Sequence, residues 1–75
     1  MQAYNHSTRD TGVTAYQVSD DGIYVEFRDG SVYLYTIKSA GAVSIAKMKD
    51  LAAKGKGLTT YINRYVKKRY EKKIR

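Results

Sequence analysis

Asp29-Gly30 sits between two runs of alternating side chains, and this dipeptide constrains the fold more than any other feature of the chain. Glycine accepts the positive φ that a tight hairpin requires, so the flanking runs are expected to pair as antiparallel strands. On the N-terminal side, Ile23–Arg28 places Ile23, Val25 and Phe27 on one face and Tyr24, Glu26 and Arg28 on the other. On the C-terminal side, Ser31–Ile37 is rich in aromatic and β-branched residues. Upstream, Val13–Val18 reads as a further strand, closed by the turn formers Ser19-Asp20-Asp21-Gly22.

After the strands the period becomes helical. Ser39 is a plausible N-cap, and Gly41, Ile45, Met48 and Ala52 then share one stripe until Gly55, which suits the C′ position. Thr59 or Thr60 caps a second helix whose inner stripe is Leu58, Ile62, Tyr65 and Val66. The expected fold is α+β: a three-stranded antiparallel β-meander followed by two helices packed on one face, in the order β-β-β-α-α. Residues 1–12 are polar, lack periodicity and read as a flexible arm, leaving 13–66 as the packed domain. Continuing the second helix past Val66 would turn Arg69 and Lys73 inward, and an unpaired buried cation is costly. Residues 67–75 are therefore expected to leave the core as a helical extension or tail.

The charge is uneven. Residues 64–75 hold seven Lys/Arg against one Glu, a balance of +6, which leaves +1 for residues 1–63 of the total +7. Such a cationic end, with Tyr65 and Tyr70 interleaved, suits an acidic partner, because cations meet phosphates and aromatic rings stack on bases, and it reads equally as a solvated tail; Tyr70 and Ile74 are too little apolar surface for a membrane partner. An enzyme is not expected. His6 is the only histidine and lies in the arm, there is no cysteine, and the Asp20-Asp21-Gly22 and Asp29-Gly30 acids are explained by turn chemistry. No catalytic residue, metal ligand set or cofactor follows. The absence of cysteine and of a basic, apolar leader after Met1 gives the expectation of a cytoplasmic protein, and no apolar run is long enough for a membrane span.

Tyr33 and Tyr35 depend on the form of the hairpin. If Asp29-Gly30 is a two-residue turn, Phe27 faces Val32 and Val25 faces Leu34, and the tyrosines lie with Tyr24 on an exposed aromatic face. If Arg28-Asp29-Gly30 is a three-residue loop with a bulge, the parity flips, and Tyr33 and Tyr35 join Val25 and Ile23 in the core. A chain with one Phe and no Trp needs large side chains to build a sheet core, which gives the tyrosines a structural use. Lys54-Gly55-Lys56-Gly57 joins the helices and reads first as a helix-ending glycine and a flexible turn; free N–H groups and two lysines there are also compatible with a phosphate, although the spacing is not that of a Walker A loop.

Tyr16, the run Tyr24-Val25-Glu26-Phe27-Arg28-Asp29-Gly30-Ser31-Val32-Tyr33-Leu34-Tyr35, and Ala53-Lys54-Gly55 followed by Ile62 together resemble the KTSC domain. That small domain is named for the C-terminus of some lysyl-tRNA synthetases and also occurs as a free-standing bacterial protein. Its central Tyr-x-Tyr is matched by Tyr33 and Tyr35, and the resemblance runs from about Val13 to Tyr70. The chain departs from it in two places: Ile37-Lys38-Ser39 stands where the family has a proline, and Ala53 where a serine is common. The link to a tRNA-handling enzyme implies RNA binding.

The expected function is a non-catalytic module that grips RNA or another nucleic acid by its phosphates. The contacts would come from Arg64, Lys67, Lys68, Arg69, Lys72, Lys73 and Arg75, with Lys54 and Lys56 as a second contact and Tyr33 and Tyr35 for stacking. The alternative is a protein-interaction module that presents its tyrosine-bearing sheet surface to a larger enzyme or an acidic protein.

Overall fold

The computed structural model describes residues 2–4 and 12–75. The fold is α+β. Strands β1 (Gln2–Ala3), β2 (Val13–Ser19), β3 (Gly22–Phe27) and β4 (Val32–Thr36) come first. Helices α1 (Ile37–Ala40), α2 (Ala42–Lys54) and α3 (Leu58–Tyr61) follow, and α3 continues directly into a π-helical turn, Ile62–Val66. A short strand, β5 (Lys72–Lys73), ends the chain. The five strands form one antiparallel sheet in the order β1-β2-β3-β4-β5. The expected three-stranded meander is thus extended by a two-residue strand at each edge.

The hairpin takes its three-residue form. Phe27 N–H donates to Ser31 O at 2.8 Å and Gly30 N–H to Phe27 O at 2.9 Å, enclosing Arg28-Asp29-Gly30. Gly30 has φ 91°, in the left-handed region where a side chain is disfavoured. Asp29 Oδ1 fixes the loop by accepting from Ser31 N–H at 2.9 Å and Ser31 Oγ at 2.6 Å. The resulting register opposes Ile23 to Tyr35 and Val25 to Tyr33. Directly opposed residues share a face, so both tyrosines turn toward the helices, and Tyr24, opposite Leu34, turns away.

The helices cover this inner face. Ile45, Met48 and Ala52 of α2 pack with Leu58, Ile62 and Val66 against Ile23, Val25 and Tyr35. Lys49 of α2 crosses to the β2–β3 turn, its Nζ donating to Ser19 O at 2.8 Å. The Ile45, Met48 and Ala52 part of the expected stripe and the end at Gly55, φ 77°, are as the sequence predicts, whereas Gly41 lies before the helix rather than on its stripe. The start differs. Thr36, not Ser39, is the first cap: its Oγ1 accepts from Ser39 N–H, and Ser39 Oγ accepts from Thr36 N–H, both at 3.1 Å. This reciprocal box closes the short α1, and Gly41, with φ 95°, separates it from α2. Tyr65 also departs from its expected inner stripe and is 60% exposed. In the π turn Lys67 N–H reaches back five residues to Ile62 O, and the wider turn rotates Tyr65 out while keeping Val66 in.

Residues 2–4 are part of the fold rather than an arm. β1 pairs with β2, Tyr4 N–H donates to Thr14 O at 3.0 Å, and the Tyr4 ring is buried in the core. Tyr4 Oη accepts from Leu58 N–H at 3.1 Å, serving an amide at the start of α3 that has no partner within its own helix. A large ring with a polar tip meets both needs of the site, apolar filling and an acceptor. His6, which the sequence places in the arm, lies outside the described residues.

Gly22 leaves no room for a side chain. A Cβ at this position would lie 2.2 Å from the backbone carbonyl oxygen of Tyr35. Gly22→Ala is therefore expected to destabilise the fold by about 2 kcal/mol, on the order of 10 °C in thermal unfolding. An unchanged melting temperature would contradict the packing described.

Candidate nucleic-acid interface

The basic C-terminal segment does not extend as an arm or a helix. The helix stops at Val66, as the inward phase of Arg69 and Lys73 requires, but the chain then reverses and returns to the sheet. Arg69 N–H donates to Val66 O at 2.5 Å in the reversal. Beyond it, Glu71 N–H donates to Leu34 O at 2.6 Å and Ile74 N–H to Val32 O at 2.7 Å, while Val32 N–H donates to Arg75 O at 3.0 Å. The cause is the open edge of β4, whose backbone groups need partners once β3 occupies the other side. Two side-chain contacts reinforce the return. Buried Thr36 donates its hydroxyl to Glu71 Oε1 at 2.7 Å, and the Arg75 guanidinium meets Glu26 at 3.2 Å.

Tyr70 packs beneath the sheet as the chain returns. Its ring centroid lies 4.6 Å from that of Tyr33 and 6.1 Å from that of Tyr35, and Phe27 meets Tyr33 at 5.7 Å. These rings, with Ile62, bound a cleft of about 350 Å³, and Asp29, Ser31, Asn63, Lys67 and Lys68 also line it. Lys73, on the same sheet face as its partner Tyr33, holds Nζ 5.8 Å from the Tyr33 ring centroid, within cation–π range.

Tyr35 is 1% exposed, and its hydroxyl donates to Lys67 O at 3.1 Å. It ties β4 to the end of the π turn and leaves no ring face for a base, which removes it from the stacking residues. Burial, followed by the neighbouring Tyr33 and Tyr70, pushes its hydroxyl pKa up to about 12. Asp29 is shifted the other way: the side-chain and backbone hydrogen bonds from Ser31 hold its carboxyl below the usual aspartate value.

The remaining residues expected at the interface separate into groups. Lys67 and Lys68 line the cleft beside half-buried Tyr33. Lys72 pairs with Leu34, so it projects to the other face of the sheet from Lys73. Arg64 and Arg69 are exposed, and Arg75 is engaged by Glu26 and by Gly30 O at 3.3 Å. Lys54 pairs with Asp50 at 3.1 Å, and Lys56 is exposed between Gly55 and Gly57, both with positive φ. The Lys54–Gly57 loop offers one free donor fewer than its composition suggests, because Tyr4 Oη already takes the Leu58 N–H. Among the described residues, Arg64, Lys67, Lys68, Arg69, Lys72 and Lys73 have no carboxylate within ion-pair distance.

Phe27, Ile62 and Asn63 belong to the cleft although they were not expected there. Phe27 shares the inner face with Val25, so the hairpin parity would have placed it; Asn63 stands one helical turn before Lys67. Among the described residues, no three His, Asp or Glu side chains gather as a metal set, and no helix is long and apolar enough to cross a membrane. No family model, curated protein or solved structure matches the chain.

Tyr35 gives the fold a characteristic alkaline response. Its folded value lies above the ordinary value of 10, so the unfolded chain loses this proton first, and stability falls as pH rises from 10 toward about 12. Tyr35→Phe is expected to cost about 1 kcal/mol at neutral pH through the lost bond to Lys67 O. That gap should narrow between about pH 10 and about pH 12, because the variant has no proton to lose. Urea unfolding across this range checks it; a gap independent of pH would contradict the burial of the hydroxyl.

Proposed function

We propose that the protein is a non-catalytic RNA-binding module that grips phosphates with the cations of its C-terminal segment. The carrying observation is the group Arg64, Lys67, Lys68, Arg69, Lys72 and Lys73, all exposed and all without a carboxylate partner among the described residues. Cations left unpaired on a surface produce a field that attracts a polyanion, and phosphate contacts release bound counterions. The π turn and β5 fix the backbone beneath several of these side chains, so less conformational entropy is lost on binding than a free tail would lose. The resemblance to the KTSC domain read from the residues, although no family model matches, suggests the same partner, and the cytoplasm is the compartment proposed for it.

The rival, a protein-interaction surface built on the sheet tyrosines, receives less support. Tyr33 and Tyr35 turn to the helix side, which leaves only Tyr24 of the three on the open face. An acidic protein remains the alternative partner that a negative result would favour.

Truncation after Val66 is not a clean test, since it removes β5 and Tyr70 together with the charges. Neutralising Lys67 and Lys68 to Gln keeps the backbone intact. With about five phosphates engaged, log K for RNA should fall against log salt with a slope of roughly −4, and the double variant should bind more weakly with a slope shallower by about 1–2. Titrations with tRNA, single-stranded RNA and duplex DNA check this. Absence of binding to all of them at low salt would overturn the proposal.

A further inference from the structure

We infer that the aromatic cleft receives one nucleotide with its base unstacked, so that the protein prefers single-stranded RNA to a duplex. The inference rests on the phosphate-binding reading above and adds a subsite to it. Phe27, Tyr33 and Tyr70 supply the ring surface, over an interior formed by buried Tyr35 and Ile62. A cleft of about 350 Å³ falls at the small end of ligand sites, which suits one nucleotide. A duplex keeps its bases stacked inside, where these rings have no access to them.

The charge around the cleft selects the class of ligand. An aromatic recess alone would also suit an organic cation, as methyl-lysine cages do. Here Lys67 and Lys68 line the recess and Lys73 lies over Tyr33, so a cation is repelled and an anion attached to a flat ring is favoured. Phosphate and base are the two halves of that description. The single acid on the lining, Asp29, has Oδ1 occupied by Ser31 N–H and Oγ, and its carboxylate disfavours a phosphate placed beside it. The π turn contributes directly: its wide backbone carries Asn63 into the lining, and Lys67 follows at its end. Such turns recur at functional sites because they displace side chains from the regular helical phase.

The test compares a short single-stranded RNA with an abasic strand of equal length, which has the same phosphates and no bases. The unmodified protein should bind the abasic strand at least roughly tenfold more weakly, the scale of one base stacked on an aromatic side chain. Tyr33→Leu should bring the two strands closer together by lowering affinity for the normal one. Adenosine monophosphate and ribose 5-phosphate serve as competitors: displacement by the first alone identifies a free nucleotide as a sufficient ligand, and displacement by neither, with the abasic loss intact, identifies a nucleotide within a strand. Equal affinity for both strands with the salt dependence intact would overturn the subsite and leave the phosphate grip standing. No binding of either strand would overturn both.

Discussion

The three-residue loop Arg28-Asp29-Gly30 sets the parity of β4, and that parity decides which side chains face the helices. With Phe27 paired to Ser31, Tyr33 and Tyr35 join Ile23 and Val25 on the inner face. A loop one residue shorter would move every β4 side chain to the opposite face. Leu34 would then face the helices, Tyr35 would lose its bond to Lys67 O, and Tyr33 would have no contact with Tyr70. The cleft, the anchoring of the π turn and the seat for the returning chain all follow from this local choice. Gly30 makes it possible by adopting φ 91°, and Asp29 reinforces it through its two bonds from Ser31.

The return of the C-terminal segment is the second requirement. Backbone bonds from Glu71 and Ile74 to Leu34 and Val32 cover the β4 edge, and Tyr70 adds ring surface to the partly buried Tyr33. The Arg75–Glu26 pair contributes little by itself, since exposed ion pairs are worth about 0–1 kcal/mol. The backbone ladder and the aromatic contact are therefore the main restraints. They hold like charges close together, which disfavours the folded arrangement until an anion neutralises them. A polyanion and the return are thus expected to stabilise one another.

Much of this was legible in the residues. The alternation of Ile23–Arg28, the Asp29-Gly30 turn, the Ile45–Met48–Ala52 stripe and the left-handed Gly55 are local patterns, and local patterns survive into the structure. The end of the helix at Val66 was legible too, from the inward phase of Arg69 and Lys73. The edge strands were not. Two residues cannot display a period, and both β1 and β5 exist because β2 and β4 offer open edges far away in sequence. Tyr4 carries no local sign that it will reach Leu58, fifty-four positions later. Tyr65 departs from the α-helical phase because Ile62–Val66 form a π turn. For the site, the lysines were visible as charge, but their grouping with Tyr33 and Tyr70 depended on the chain reversing after Val66. Ser39 has the chemistry of a cap in the sequence, yet only the reciprocal bonds show that Thr36 is the cap and Ser39 its partner.

The central claim is that the basic segment belongs to the fold and holds Lys67, Lys68 and Lys73 beside the aromatic cleft. Amide hydrogen exchange followed by NMR tests it most directly, read at Glu71 and Ile74, whose N–H groups donate to Leu34 O and Val32 O. The account predicts protection at both amides, well above that of an unstructured chain, together with ring-to-ring contacts between Tyr70 and Tyr33. Exchange at free-chain rates at both amides, with no such contact, would show the segment to be an unattached tail and would contradict the account.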